Sequence, residues 1–137
     1  MKICNPEQRY KNLNTVVYDC KYHIIFTPKY RRSVLETPID SRLKELILEK
    51  QEDYGYEIIE MEVMPDHVHL LISIQPDVNI RSMISNLKGY TSRILRQEFP
   101  ELETRLPSLW TRSMFVATVG AVSLETVKKY IEKQKTR

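Results

Sequence analysis

The sequence predicts an α+β fold in which two helices cover one face of a four-stranded antiparallel sheet and a further helix follows. Three observations carry this reading. Strand-like alternation and helix-like periodicity take turns along the chain in the order β-α-β-β-α-β-α. Two strand segments are separated only by Met64-Pro65-Asp66, a tight turn that demands an antiparallel hairpin. No repeat, low-complexity tract or linker divides the 137 residues, so 1–137 reads as one domain, long enough to bury a core without staples.

Residues 1–14 are read as a loose N-terminal segment. Residues 15–27 (TVVYDCKYHIIFT) read as a strand, being rich in β-branched and aromatic residues. Alternation puts Tyr18, Cys20, Tyr22, Ile24 and Phe26 on one face and Asp19, Lys21, His23 and Thr27 on the other. A basic loop follows, Lys29-Tyr30-Arg31-Arg32. Thr37 is placed to cap a helix, with Pro38 at its first position and Asp40 in its first turn. Leu43, Leu46, Ile47 and Tyr54 form its apolar stripe, and Gly55 stands where it would stop.

Residues 57–63 and 67–74 read as the hairpin strands, the second ended by Pro76. Residues 79–98 predict a long amphipathic helix, with Ile80, Met83, Ile84, Leu87, Ile94 and Leu95 on the 3.6-residue period. Gly89 weakens its middle by up to about 1 kcal/mol relative to Ala. Pro100 and Pro107 bracket an irregular stretch, and 110–119 (WTRSMFVATV) reads as the last strand. Gly120 is a break, and Ser123 can cap a final helix over 124–135. A helix of about 12 residues is marginal alone, so it must dock on something. The whole is a ferredoxin-like (RRM-like) sheet with two packed helices plus a C-terminal helix.

Composition is that of a soluble globular protein, with 42% hydrophobic and 28% charged residues. No apolar run approaches the roughly 18–20 residues that would cross a bilayer. The N-terminus lacks an apolar signal core, so a cytoplasmic protein without membrane association is expected. Cys4 and Cys20 are too few for a disulfide framework and lack metal-site spacing. The net charge of +3 is unevenly spread: +5 over residues 1–34, −7 over 35–66 and +5 over 67–137. Basic outer thirds around an acidic middle suggest one side that binds a polyanion.

The sharpest local signal is Asp66-His67-Val68-His69-Leu70-Leu71-Ile72-Ser73-Ile74. Val68, Leu70, Ile72 and Ile74 make an unbroken apolar face. His67 and His69 therefore point together from the other face, about 7 Å apart along the strand. Such a pair is either two exposed histidines or half of a cation site. Near the C-terminus Tyr130 and Gln134 are i and i+4, stacked neighbours beside the stripe of Leu124, Val127 and Ile131. They either extend the packing and meet solvent, or offer a phenol and an amide oxygen to chemistry.

Taken together, His67, His69 and Gln134 supply two nitrogens and one oxygen, all neutral. An ion so held keeps its full charge and has open positions for phosphate oxygens. Without thiolates a closed structural zinc site is disfavoured. Mg²⁺ or Mn²⁺ suits a phosphodiester, and ligand type alone leaves Zn²⁺ open. Tyr130 would be the nucleophile. A phenol of pKa about 10 is only about 0.1% ionised at pH 7 and needs activation. A metal-bound water, Lys133 or the substrate are candidate bases. Attack would give a phosphotyrosine and a free hydroxyl, and reversal by another hydroxyl would join strands without ATP.

On the long helix, Arg81, Ser85, Lys88, Ser92 and Arg96 share a stripe opposite the apolar one. It is either a row of phosphate donors or a solvated face. Lys29, Arg31, Arg32, Arg112 and His23 are further candidate DNA contacts. Tyr30, Tyr90 and Trp110 could stack on unpaired bases or serve as packing.

The runs YHIIFTPKYRR (22–32), MEVMPDHVHLLI (61–72), LKGYTS (87–92) and KYIEKQ (129–134) resemble the small single-tyrosine HUH transposases of bacterial and archaeal insertion sequences. The likeness runs in order from about residue 15 to 135, and MPDHVHLL followed by KYIxxQ is its most specific part. It implies that His67 and His69 bind the metal, that Gln134 completes the site, and that Tyr130 forms a 5′-phosphotyrosine with single-stranded DNA. It also implies recognition of subterminal DNA hairpins. It further implies a homodimer with shared active sites, the histidine pair from one subunit and the tyrosine helix, 123–135, from the other. Two other classes compete: a non-catalytic binder of single strands or hairpins with the same fold, and a metal hydrolase in which Tyr130 is structural.

Overall fold

Strand formation in this chain follows the alternation of apolar side chains, and the computed structural model shows where that alternation finds partners. It describes residues 11–13 and 16–120. Strand β1 (Lys11–Leu13) pairs antiparallel with β2 (Val16–Tyr18) in a small separate sheet. The main sheet is built from β3 (Lys21–Phe26), β4 (Tyr56–Met64), β5 (His67–Ile74) and β6 (Phe115–Thr118). Its spatial order is β4-β5-β3-β6, with every described pairing antiparallel. With helices α1 (Ile39–Glu49) and α3 (Ile80–Glu98) as crossovers, this is the predicted ferredoxin-like topology.

One face of the sheet is the core. Ile24 and Phe26 of β3, Ile58 of β4, and Val68, Leu70, Ile72 and Ile74 of β5 are all buried there. Leu43, Leu46 and Ile47 of α1 and Met83, Ile84, Leu87 and Leu95 of α3 close over them. The hairpin register is set by the burial pattern, because a one-residue slip would turn every core side chain of β5 outward. A bulge at Ile58/Glu60 lets β4 keep that pairing along its length. Gly55 ends the short helix α2 (Gln51–Tyr54) with φ +77, and an added Cβ would meet Val78 Cγ2 at 2.7 Å. Glycine is required there by both conformation and space.

The expected strand over 15–27 is interrupted at Asp19 and Cys20, so its first part pairs with β1 and only its second part enters the main sheet. Lys11–Leu13, at the end of the segment read as loose, is that partner strand. Thr37 makes no capping bond: α1 starts after Pro38, and the Glu36 carbonyl already accepts from the Ile39 and Asp40 amides. The stretch between Pro100 and Pro107 contains a short helix, α4 (Glu101–Arg105). The last strand is four residues rather than ten, because 108–114 runs as an irregular segment across α3 and β3. Pro28 bridges Trp110 there, and the Trp110 indole is buried edge-on against Phe26 at 4.8 Å between ring centres. Among the described residues no helix is long and apolar enough to cross a membrane.

One buried polar link fastens that segment. The Trp110 Nε1–H donates to Thr91 Oγ1 at 3.1 Å, and the Thr91 hydroxyl donates to the Leu87 carbonyl at 2.9 Å. Thr91→Val keeps the shape but strands a buried indole N–H. It is expected to cost about 1–3 kcal/mol. Urea unfolding would show this as a lower midpoint with an unchanged slope.

Candidate metal and nucleic-acid site

The alternation of β5 that buries Val68 and Leu70 puts His67 and His69 on the sheet face turned away from the helices. His69 sits opposite Ile25 of β3 and Glu62 of β4, and His67 opposite Met64. The neighbouring strand brings His23 to the same face, opposite Leu71. All three histidines of the chain therefore share one patch of sheet.

Each of the paired imidazoles has a partner. His67 Nδ1 lies 2.9 Å from Asp66 Oδ1, and Asp66 Oδ2 accepts from Arg31 Nη2 at 3.3 Å. The His67 hydrogen bond and then the Arg31 charge hold the Asp66 carboxyl below the usual carboxylate range. An ionised Asp66 can only accept, so His67 donates from Nδ1, the tautomer in which a neutral ring leaves its Nε2 lone pair free. A ligating histidine is commonly oriented by a carboxylate in this way. His69 Nε2 lies 3.0 Å from His23 Nδ1, with the rings 5.2 Å apart and 21° from parallel.

Two imidazoles from one strand, one of them backed by a carboxylate, are a candidate donor set for a divalent cation. Among the described residues no group of three or more His, Cys, Asp or Glu side chains is placed to hold one. The described donor set is thus the histidine pair. Tyr130, Gln134 and the helix expected over 123–135 lie outside the described residues.

The candidate DNA contacts fall into separate groups. Lys29, Tyr30 and Arg31 form a 3₁₀ turn beside the histidine patch, with φ of 59° at Tyr30 and 53° at Arg31. Left-handed conformations at two bulky residues cost about 1–3 kcal/mol each. Anchors hold them: Lys29 N–H donates to the Leu109 carbonyl at 2.8 Å, and Thr111 N–H to Thr27 at 3.0 Å. The turn leaves Tyr30 66% exposed and swings Arg31 onto Asp66. Arg32 is exposed.

Arg81, Lys88, Ser92 and Arg112 line a second feature, a cleft of about 570 Å³ between α3 and the 108–114 segment. Lys88 is buried within it; its ammonium donates to the Thr111 carbonyl at 2.5 Å and the Ser113 carbonyl at 3.2 Å. Burial pulls its pKa below the usual lysine range. Lys88 therefore holds the segment against the helix. Arg96 turns to the carbonyls of Leu106 and Pro107. A larger cleft of about 660 Å³ is lined by Glu45, Glu49, Glu52, Asp53 and Glu57, the wrong charge for a polyanion.

Asp66, which the sequence marks only as part of the tight turn, is also the carboxylate partner of His67, and its place directly before that histidine is the one local signal of this. The link from Arg31 to Asp66 had no local signal at all, since 35 residues separate them.

The family profile described as "Transposase IS200 like" matches residues 16–134. The ISDra2 transposase TnpA of Deinococcus radiodurans is 38% identical over 120 residues, 86% of each chain. The transposase for insertion sequence element IS200 of Salmonella typhimurium is 32% identical over 126 residues, 90% of this chain and 82% of that one. Of solved structures, a crystal structure from Deinococcus radiodurans matches with a TM-score of 0.73 and 35% identity, over 90% of this chain and 97% of that one. A REP-associated tyrosine transposase bound to a REP hairpin shares the fold, with a TM-score of 0.56 and 16% identity over 88% and 67% of the respective chains.

Proposed function

Because the chain belongs to the IS200-like transposase family, we propose that it cuts and rejoins single-stranded DNA at insertion-sequence ends through a bond from Tyr130 to a 5′-phosphate. The observation that carries this reading is the imidazole pair, His67 and His69, set on the sheet face away from the helices and backed by Asp66. His67, His69 and Gln134 would hold Mg²⁺ or Mn²⁺, which when bound polarises a phosphate oxygen as a Lewis acid.

Tyr130 Oη attacks phosphorus, and the bond from phosphorus to the 3′-oxygen breaks. The phenol loses its proton and the departing oxygen gains one, leaving a free 3′-hydroxyl. The phosphotyrosine keeps the ester linkage, so an incoming 3′-hydroxyl can reverse the attack and reseal a strand. Tyr30, which is exposed, and the basic turn would meet the flanking single strand. Arg81, Ser92 and Arg112 in the cleft are candidate phosphate contacts for a DNA hairpin. The hairpin-bound relative supports that part of the reading. The working unit is proposed to be a homodimer with each histidine pair facing its partner's tyrosine.

The test uses single-stranded oligonucleotides copied from the DNA flanking the gene, incubated with the full chain and Mn²⁺. On a denaturing gel the 3′-labelled strand is expected to migrate as a protease-sensitive protein adduct, and the 5′-labelled strand as a shortened free product. A water-using hydrolase would shorten both and leave no adduct. A pure binder would change neither.

A further inference from the structure

The metal reading gives His23 no part, yet its Nδ1 lies 3.0 Å from His69 Nε2 and the two rings stack. His23 is on β3, diagonal to His69 across the β3–β5 pair, a separation that ring side chains can span. Its other neighbour across the ladder is Ala117 of β6, a small side chain. The flanking Tyr22 and Ile24 serve the opposite, core-side face.

The argument is a count of protons. His23 Nδ1 and His69 Nε2 are 3.0 Å apart, so one proton lies between them. If His23 donates, the Nε2 lone pair of His69 is used and a neutral His69 must carry its own proton on Nδ1. While that bond stands, neither nitrogen of His69 is open to a cation. If His69 donates, its proton is on Nε2 and its Nδ1 lone pair is free. Only the second arrangement makes His69 a ligand. His67 is fixed in the complementary sense, since Asp66 holds the proton on Nδ1 and frees Nε2.

We propose that His23 is a positioning residue of the cation site: it accepts the Nε2–H of His69 and so holds that ring in its ligating tautomer, as Asp66 does for His67. This rests on the metal role assigned to His67 and His69 above. It changes how His23 is understood, from a free phosphate contact to the partner of a ligand. Outer partners of this kind typically alter metal affinity by about 10- to 100-fold.

The experiment measures Mn²⁺ binding to the full chain by calorimetry, and the tautomers of the metal-free protein by ¹⁵N NMR of its histidine rings. Wild type is expected to bind Mn²⁺ and to show His69 protonated on Nε2. His23→Phe keeps a ring but no acceptor and is expected to weaken Mn²⁺ about 10- to 100-fold. His23→Gln, which retains an acceptor oxygen, is expected to recover most of the loss. Two results overturn the assignment: His69 protonated on Nδ1 in wild type, or His23→Phe binding Mn²⁺ within about twofold of wild type. The NMR result decides even if His23→Phe fails to fold. If wild type itself binds no Mn²⁺, the metal reading falls and the role of His23 falls with it. Wild-type binding left untouched by His23→Phe removes the role of His23 alone.

Discussion

Tyr130→Phe is expected to abolish the covalent protein–DNA adduct and to leave affinity for the same oligonucleotide within about twofold. The change removes one oxygen. In the proposed reaction that oxygen is the atom that bonds to phosphorus, and a phenyl ring has nothing to replace it. Loss of a nucleophile costs at least about 10³-fold in other enzymes that work through a covalent intermediate. Strand transfer should fall below detection, because rejoining also needs the phosphotyrosine. Binding is proposed to draw on other groups: the exposed basic turn with Tyr30 and Arg32, and the cleft lined by Arg81 and Arg112. The two readouts must therefore separate, in a denaturing gel for the adduct and a native gel for binding. Cleavage by the Phe variant at the wild-type position and near the wild-type rate would transfer the chemistry to water and make Tyr130 structural. Equal loss of both readouts would mean instead that the C-terminal segment holds DNA.

How much of this could be read from the sequence varies with the distance over which each feature is decided. The histidine pair was legible because the strand period fixes it locally: with Val68, Leu70 and Ile72 inside, His67 and His69 have only one place to go. Gly55 was legible for the same reason, a stop residue at the end of a periodic stretch. The break at Asp19 and Cys20 was not, since 15–27 is uniformly strand-like and only the pairing of Val16–Tyr18 with Lys11–Leu13 divides it. Lys88 shows the opposite failure. Its spacing with Arg81 and Ser92 marks a polar stripe, but the 108–114 segment folds over that stripe and takes the ammonium for its own carbonyls. His23 was half legible. Alternation puts it on the outer face, whereas its contact with His69 depends on the register between β3 and β5.

His67→Ala and His69→Ala are each expected to remove Mn²⁺ binding and adduct formation together, and the double variant should be no worse than either single one. With two imidazoles and a neutral amide as the proposed ligands, loss of either imidazole leaves at most two neutral donors, too few to hold a divalent cation firmly. Such losses are not additive, because the site works as a unit. Stability should barely change, by about 0.5 kcal/mol or less, since both rings lie on the face away from the core. Leu70→Ala, one residue along and fully buried, is the contrasting control and should cost about 2–5 kcal/mol. Thermal melts therefore distinguish a lost ligand from a lost fold. The same variants test the shared site. Mixed after unfolding and refolding together, His67→Ala and Tyr130→Phe subunits regain one complete site per mixed dimer if histidines and tyrosine meet across subunits. If they meet within a subunit, every site in the mixture lacks one group and no adduct returns. Recovery should approach a quarter of wild type, because half of randomly paired dimers are mixed and each holds one intact site of two. A mixture as inactive as its parents would place the tyrosine helix on its own subunit's sheet.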